Sequence, residues 1–586
     1  MKFSALALDF DGTIARDDVL DSGVREAIAE VRAQGIVVMI VTGRIVGDLR
    51  RATGDLHFVD AVVGENGAVI EFPDSGYSAA VGPPPPPALL DALRRDGIRF
   101  DAGCVVVEID AGEAPRVLGI IRRLELPLVL VFNRGRAMVL PEAISKATGL
   151  RRAFTLLRLS PHNAVAIGDA ENDHQLLDAC EVGVAVDWGS EALKAVADYV
   201  LPGEGPPAVA GYIRALANRW GIPAPLKTRR RLLLGHSDDG RPLALAVRGR
   251  NVLVAGDPKS GKSWVTGLLA EQLIIYGYCL CIIDPEGDYA SLEALPAVVV
   301  MGGADPLPRP RDLLRALRHP DVSIVLDLSH ASHEEKGEYL RSVLPGLAKL
   351  RRRTGLPHRI VVDEAHYFLH DPDVLQMLDL ELNGYTLVTY RASKLHPDVL
   401  AASQAILVTR ESNPNEVRAL FALCRTCEGR LKEEEWGRLL EGLVLGEAVA
   451  LPVTEEAEGE VRRIRLAPRL TPHVRHLAKY VDIPVQHGHA FVFWRNGAQT
   501  GARARTLREF VAVLENTPST SLEGHLRRSD FSRWVADVFG DYALAKELVR
   551  LEEEYRRGTL TDVTARLSQI VRSRYEFAEP ATASRD

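Results

Sequence analysis

The stretch Gly256-Asp-Pro-Lys-Ser-Gly-Lys-Ser263 constrains this chain most, because it lies between the apolar run Asn251-Val-Leu-Val-Ala255 and the helically spaced Trp264-Val-Thr-Gly-Leu-Leu-Ala270. A strand, a glycine-containing loop and a helix start are the parts that bind a triphosphate. Gly256, Asp257, Pro258, Lys259, Ser260 and Gly261 would form the loop whose backbone N–H groups wrap the phosphates. Lys262 would reach the β and γ oxygens, and Ser263 would ligate Mg²⁺.

At 586 residues the chain is too long for one core, and about 150 residues per domain predicts three or four units. There is no run of about 18 apolar residues and no basic-then-apolar start, so the expected location is the cytoplasm, with no membrane involved. The net charge of −8 supplies no global field for nucleic acid. Any such contact would use local patches such as Lys227-Thr-Arg-Arg-Arg231 or Arg351-Arg-Arg353. The pair Cys424 and Cys427 has no second Cys or His pair at zinc-finger spacing, so the six cysteines read as reduced thiols.

Four stations recur along residues 1–202. The strand-like Phe3-Ser-Ala-Leu-Ala-Leu8 ends in Asp9-Phe-Asp-Gly-Thr13, and Val37-Val-Met-Ile-Val41 ends in Thr42-Gly-Arg44. Lys146 follows in Leu140-Pro-Glu-Ala-Ile-Ser-Lys146, and Ala164-Val-Ala-Ile-Gly168 ends in Asp169-Ala-Glu-Asn-Asp173. Acidic and hydroxyl groups at the carboxyl ends of buried strands stand where α/β sheets bind ligands.

In this order the stations resemble the haloacid dehalogenase superfamily of phosphotransferases. The resemblance implies that Asp9 attacks phosphorus as a carboxylate nucleophile. Asp11 would be the acid and base, with Thr42 and Lys146 holding the phosphoryl oxygens. Mg²⁺ would sit on Asp9, the Asp11 carbonyl and Asp169, with Asp173 as a further ligand or support. Glu65-Asn-Gly-Ala68 and the late position of Lys146 resemble the subgroup with a cap between the second and third stations, which includes sugar-phosphate phosphatases. The cap is expected over about 71–140 as helix, strand, helix, strand, with Pro83–Pro87 as a stiff spacer. Because caps choose the substrate in that family, the phosphomonoester itself is not named by the sequence.

Prolines and glycines at 202–207 and 221–225 punctuate a linker over 203–225. Beyond it, Arg231–His236 and Pro242–Val247 predict two short strands leading into the phosphate loop. Cys279-Leu-Cys-Ile-Ile-Asp284-Pro-Glu-Gly-Asp288-Tyr gives a strand and an acidic turn, and Arg359-Ile-Val-Val ends in Asp363-Glu364. Asp363 would assist Mg²⁺ through water and Glu364 would polarise the attacking water, which suits ATP hydrolysis coupled to motion.

With Thr386-Leu-Val-Thr-Tyr-Arg391 and Ile406-Leu-Val-Thr-Arg410, this set resembles the HerA/FtsK family of ring-forming DNA-pumping ATPases over about 231–453. The resemblance implies a homohexamer, ATP at subunit interfaces and DNA in the centre, with Arg391 and Arg410 as candidate γ-phosphate sensors. Tyr390 stands where that family usually has a glutamine. The small barrel that commonly precedes its phosphate loop has no room between Leu226 and Asn251.

Residues 471–586 read as a mainly helical region whose aromatic positions are core, ending in a disordered tail from Glu579. The expected fold is therefore α/β. A Rossmann-like unit at 1–202 with a small α+β cap precedes a RecA/ASCE-like P-loop sheet at 226–470 and the helical region. The expected function is a bifunctional phosphohydrolase and DNA-translocating ATPase that uses Mg²⁺ and ATP. Two alternatives are an end-processing kinase-phosphatase and a sugar phosphatase with a regulatory or assembly ATPase unit.

Overall fold

The computed structural model describes residues 3–133, 135–218, 229–247, 250–370, 373–423, 432–452, 461–471, 485, 487–495, 498–539, 542–558, 560 and 562–574. Cys424, Cys427, Lys227, the linker prolines at 223 and 225 and the expected tail from Glu579 lie outside them. No described helix is long and apolar enough to cross a membrane.

Strand Ala5–Leu8 forms the centre of the first sheet because its side chains are buried on both faces, as a parallel sheet between helices requires. Its neighbours are Ala164–Gly168 and Val37–Val41, with Leu8 opposite Ile167 on one side and Ile40 on the other. The chain leaves this central strand in opposite directions for its two neighbours, which makes a switch point where the strand ends open a crevice. Val182–Val186 and Tyr199–Leu201 extend one edge, and Ala61–Gly64 the other.

Two elements differ from expectation here. Val69–Phe72 and Tyr77–Ala80 continue the first sheet as an antiparallel hairpin, so the chain departs for the cap about ten residues later than position 71. The cause is a tight reversal at Glu65, Asn66 and Gly67, with φ of 51°, 55° and 100°. It pairs Gly64 directly with Val69. Helix Gly205–Asn218, which falls within the expected linker, packs on helix Ser22–Ala33 and buries Val209 and Ile213 in the first core.

The cap is a sheet in the order Leu128–Asn133, Arg136–Pro141, Val107–Asp110, Phe100–Ala102, backed by helices Pro87–Arg95 and Ala114–Arg123. Leu89, Leu93, Val117 and Ile121 from the helices meet Ile109 and Val139 in one core. The strands Phe100–Ala102 and Arg136–Pro141 were not anticipated, since each is short or joined by a tight reversal. The last proline of Pro83–Pro87 opens the first cap helix, where its missing N–H costs nothing.

Among the described residues the second sheet runs Pro242–Ala246, Arg231–Ser237, Arg462–Leu466, Glu447–Pro452, Ala405–Val408, Val252–Ala255, Tyr385–Thr389, Arg359–Val362, Leu280–Asp284, Ser323–Asp327, Val298–Gly302. From Ala405–Val408 onward all pairings are parallel. Alternate residues of Val252–Ala255 face opposite cores, one shared with helix Lys262–Ile275 and the other with helix His333–Thr354. The described arginines of the two basic patches are engaged within the chain. Arg229 pairs with Asp198, Arg230 with Glu181 and Arg352 with Asp379, and Arg351 is buried against the Pro357 carbonyl.

The two units meet at Glu181, whose carboxylate accepts the Tyr278 hydroxyl at 2.7 Å and pairs with His162 at 3.1 Å. The C-terminal region pairs Phe491–Arg495 with Ala498–Ala504, and helices Leu507–Glu515, Ser519–Arg528, Tyr542–Arg556 and Val563–Arg574 cover this hairpin. Phe491, Phe510, Phe531 and Trp534 form its aromatic core, as expected.

Candidate active site

Asp9 is the first residue past the central strand, tied there by its N–H to the Ile167 carbonyl at 2.9 Å. Across the switch point, the loop after Gly168 brings Asp169 and Asp173 to the same place. Asp173 accepts the N–H groups of Asp169 and Ala170 at 3.0 and 3.1 Å, which fixes the turn. Lys146 opens a helix capped by Ser145, and from there its Nζ donates to Asp9 Oδ1 and to Asp173 Oδ1, each at 2.6 Å. Thr13 donates its hydroxyl toward Asp9 Oδ2 at 3.2 Å and Asp169 Oδ1 at 3.3 Å.

All of these groups are buried, and Lys146 bridges two of the three carboxylates, so carboxylates outnumber the cation that pairs with them here. Burial, followed by the Asp173 charge, holds the Asp9 carboxyl well above the usual carboxylate range, and Lys146 opposes this. Burial alone would lower the Lys146 ammonium, but Asp173 and Asp9 outweigh it and hold it above an ordinary lysine. One oxygen from each of Asp9, Asp169 and Asp173 lies within 4.8 Å of the others. A hard divalent cation with oxygen preference fits this donor set and supplies the positive charge it lacks.

Thr42 is buried at the end of the neighbouring strand, beyond the Leu8–Ile40 pair. The Asp11 carboxylate accepts Arg44 Nε at 2.8 and 3.0 Å and also pairs with the Arg44 terminal nitrogen. Arg44 additionally holds Asp18. Thr13 and Arg44 were not singled out from the sequence, although both lie inside the stretches that carry Asp9 and Thr42.

The family model for haloacid dehalogenase-like hydrolases matches residues 6–79 and 122–213. The intervening residues carry the first cap helix and all but the last two residues of the second. A phosphoglycolate phosphatase of Methanopyrus kandleri is 30% identical over 231 residues, spanning 36% of this chain and 97% of that protein. The chain belongs to the haloacid dehalogenase-like hydrolases. A phosphoglycolate phosphatase of Methanosarcina acetivorans is 26% identical over 221 residues, spanning 34% of this chain and 90% of that protein. Among solved structures, a haloacid dehalogenase-like hydrolase from Bacteroides thetaiotaomicron matches with a TM-score of 0.33 at 20% identity, over 37% of this chain and 100% of that one.

Outside this hydrolase unit, a second constellation surrounds residues 256–263. Gly256, at φ 148°, takes a conformation closed to other residues, and a Cβ there would lie 2.1 Å from the Thr409 hydroxyl. Gly261 leads into helix Lys262–Ile275 at φ 106°. Lys262 is folded back, donating to the carbonyls of Gly256 at 3.0 Å and Asp257 at 2.8 Å. Ser263 donates to Asp288 at 2.8 Å. Asp288 was not among the predicted ligands, although it stands in the acidic turn noted above. Asp284 shapes that turn by accepting the N–H groups of Gly287, Asp288 and Tyr289.

Asp363 and Glu364 follow strand Arg359–Val362, one strand removed from Val252–Ala255, and Asp363 accepts the Glu364 N–H at 2.8 Å. Tyr390 lies with its ring centre 5.9 Å from Lys262 Nζ, and the Arg391 guanidinium stands 5.4 Å from the same ring. His366, beside them, is pushed by burial down to about 3 and is therefore neutral. Arg410 holds the loop through its carbonyl, which accepts the Asp257 N–H at 2.7 Å.

The Asp257 carboxylate accepts the Ser412 hydroxyl at 2.8 Å and faces Glu411. Burial, then the Asp257 charge, holds the Glu411 carboxyl well above its usual range. A carboxyl raised on folding contributes stability that is complete in acid and is lost as pH rises through the raised value. Glu411→Gln is therefore expected to raise the melting temperature at pH 8 and to be neutral at pH 4.5, measured by scanning fluorimetry. Equal shifts at both pH values would contradict a raised Glu411 carboxyl.

Proposed function

We propose that the hydrolase unit cleaves small phosphomonoesters of the phosphoglycolate kind through a covalent intermediate on Asp9, and that the second unit binds and hydrolyses ATP. The first half rests on one observation: Lys146 bridges Asp9 and Asp173 at 2.6 Å each, with Asp169 on the same crevice. Asp9 attacks phosphorus and the alcohol oxygen leaves. Asp11, released from Arg44, donates a proton to that oxygen. Water then attacks the aspartyl-phosphate, and the same Asp11 takes the proton from it. Thr42 and Lys146 hold the phosphoryl oxygens throughout. Mg²⁺ on Asp9, Asp169 and the Asp11 carbonyl, with Asp173 supporting, supplies charge neutralisation when bound.

The substrate class is supported by the named activity of the relatives from Methanopyrus kandleri and Methanosarcina acetivorans, each of which is spanned almost entirely. Phosphate release from 2-phosphoglycolate and from a sugar monophosphate, with Mg²⁺ or with EDTA, tests it. No release from either substrate with Mg²⁺ present would sink the first half.

For the second half, the carrying observation is Lys262 and Ser263 at a helix start between Gly256 and the acidic group Asp288, Asp363 and Glu364. Ser263 and Asp288 would share a magnesium ion's environment, and Glu364 would orient water. We extend the reading to a hexameric ring acting on DNA, with Arg391 and Arg410 reaching γ-phosphate. Duplex DNA should then stimulate ATP turnover, and light scattering with ATP should report a multimer. A monomer with DNA-indifferent turnover would favour the regulatory ATPase reading, which Tyr390 in place of glutamine supports.

A further inference from the structure

We propose that Glu65 is a positioning residue that pins the cap over the phosphoryl site and couples its placement to Thr42 and Lys146. The inference rests on the phosphatase reading of the first unit. Glu65 is buried at the end of strand Ala61–Gly64, and its carboxylate accepts three successive cap N–H groups: Cys104 at 2.9 Å, Val105 at 2.8 Å and Val106 at 3.1 Å. Three donors on one carboxylate across two folding units is a stronger tie than any neutral side chain of this size could make.

The turn carrying Glu65 also touches the catalytic groups through its backbone. Asn66 donates its N–H to the Thr42 carbonyl at 3.0 Å, and Glu65 donates its own to the Arg44 carbonyl at 2.9 Å. A Cβ on Gly67 would lie 1.9 Å from the Ser145 carbonyl oxygen, next to Lys146. The approach is close because the residue has no side chain. The left-handed φ of Glu65 and Asn66 is a strain that persists only where the surroundings fix it. Above the site, Met138 and Asn133 of the cap lie over Gly43, with Met138 Sδ 3.1 Å and Asn133 Nδ2 3.7 Å from where a Gly43 Cβ would stand. The cap is thereby a fixed roof, and these two side chains meet whatever the phosphate is attached to. A substrate with a specific organic part needs that roof in place, whereas one recognised mainly by its phosphate does not.

Glu65→Gln keeps the shape and puts an amide N–H against the donors. Gly103→Ala attacks the same contact from the cap side, where a Cβ would lie 2.5 Å from the Glu65 carboxyl. For each variant, the ratio of kcat/KM for 2-phosphoglycolate to that for p-nitrophenyl phosphate should fall about tenfold, mostly through KM. Amide exchange at residues 104–106 should accelerate by about the same factor, while peptides of the second unit are unaffected. Unchanged exchange at 104–106, or an equal loss on both substrates with KM unmoved, would overturn the clamp. Wild-type protein without phosphomonoester turnover would instead remove the phosphatase reading, and exchange at 104–106 would then decide the clamp by itself.

Discussion

Asp9→Asn is expected to lower phosphomonoester turnover by at least about 10³-fold while leaving the fold and the ATP turnover of the second unit intact. An amide cannot form the acyl-phosphate, and the neighbouring Asp173 is committed to the Asp169 and Ala170 N–H groups and to Lys146. The variant should not unfold the hydrolase unit. Burial and the Asp173 charge already disfavour a charged Asp9, so removing that charge relieves repulsion. Without Mg²⁺ the variant should therefore melt no lower than the wild type, and added Mg²⁺ should stabilise it less than the wild type because one donor is lost. Equal turnover in the two proteins would move the nucleophile elsewhere. A parallel loss of ATP turnover would mean that the junction of Glu181, His162 and Tyr278 transmits the change.

Lys262→Ala is expected to reduce ATP turnover by at least about 10²-fold and to weaken nucleotide binding, with phosphomonoester hydrolysis unchanged. The folded-back Lys262 holds the carbonyls of Gly256 and Asp257, so its ammonium must turn from these to a phosphate when nucleotide arrives. Fluorescent-nucleotide titration reads the binding, and coupled-enzyme assay the turnover. The lysine's removal also costs the loop two hydrogen bonds, so the loop glycines should exchange faster in the variant. A variant with wild-type ATP turnover would contradict nucleotide hydrolysis at this loop.

The legible part of the fold was that in which buried strands end in charged loops. Ala5–Leu8, Val37–Val41, Ala164–Gly168 and Val252–Ala255 are short, fully apolar and bounded by Asp, Thr or Gly, so both their position and their site-facing ends could be read. Chain reversals hid the remainder. The pairing of Val69–Phe72 with Ala61–Gly64 depends on three consecutive positive φ angles at Glu65–Gly67, the first of them on a glutamate, a residue type that gives no such signal. Helix Gly205–Asn218 starts with Gly-Pro-Pro, which reads as a linker, yet tertiary burial of Val209 and Ile213 secures it.

Within the site, Asp9 and Asp169 stand directly after apolar runs, whereas Lys146 follows Pro-Glu-Ala-Ile-Ser and is marked only by its place in the order of stations; the structure brings both carboxylates, Lys146 and Asp173 to one crevice. The partner of Asp11 was not legible, since Arg44 reaches it across two strand ends and only the fold sets that distance. Asp288 was hidden for a similar reason: its pairing with Ser263 joins two turns 25 residues apart.

The central claim is that Asp9 carries the phosphoryl group. Acid quenching of the wild-type protein during turnover of 2-phosphoglycolate, followed by borohydride reduction and peptide mass spectrometry, tests it most directly, because the acyl-phosphate is reduced to homoserine. Homoserine at position 9, absent without substrate and absent in Asp9→Asn, is the predicted result. Steady turnover with unmodified aspartate at position 9, or homoserine at another aspartate, would contradict it.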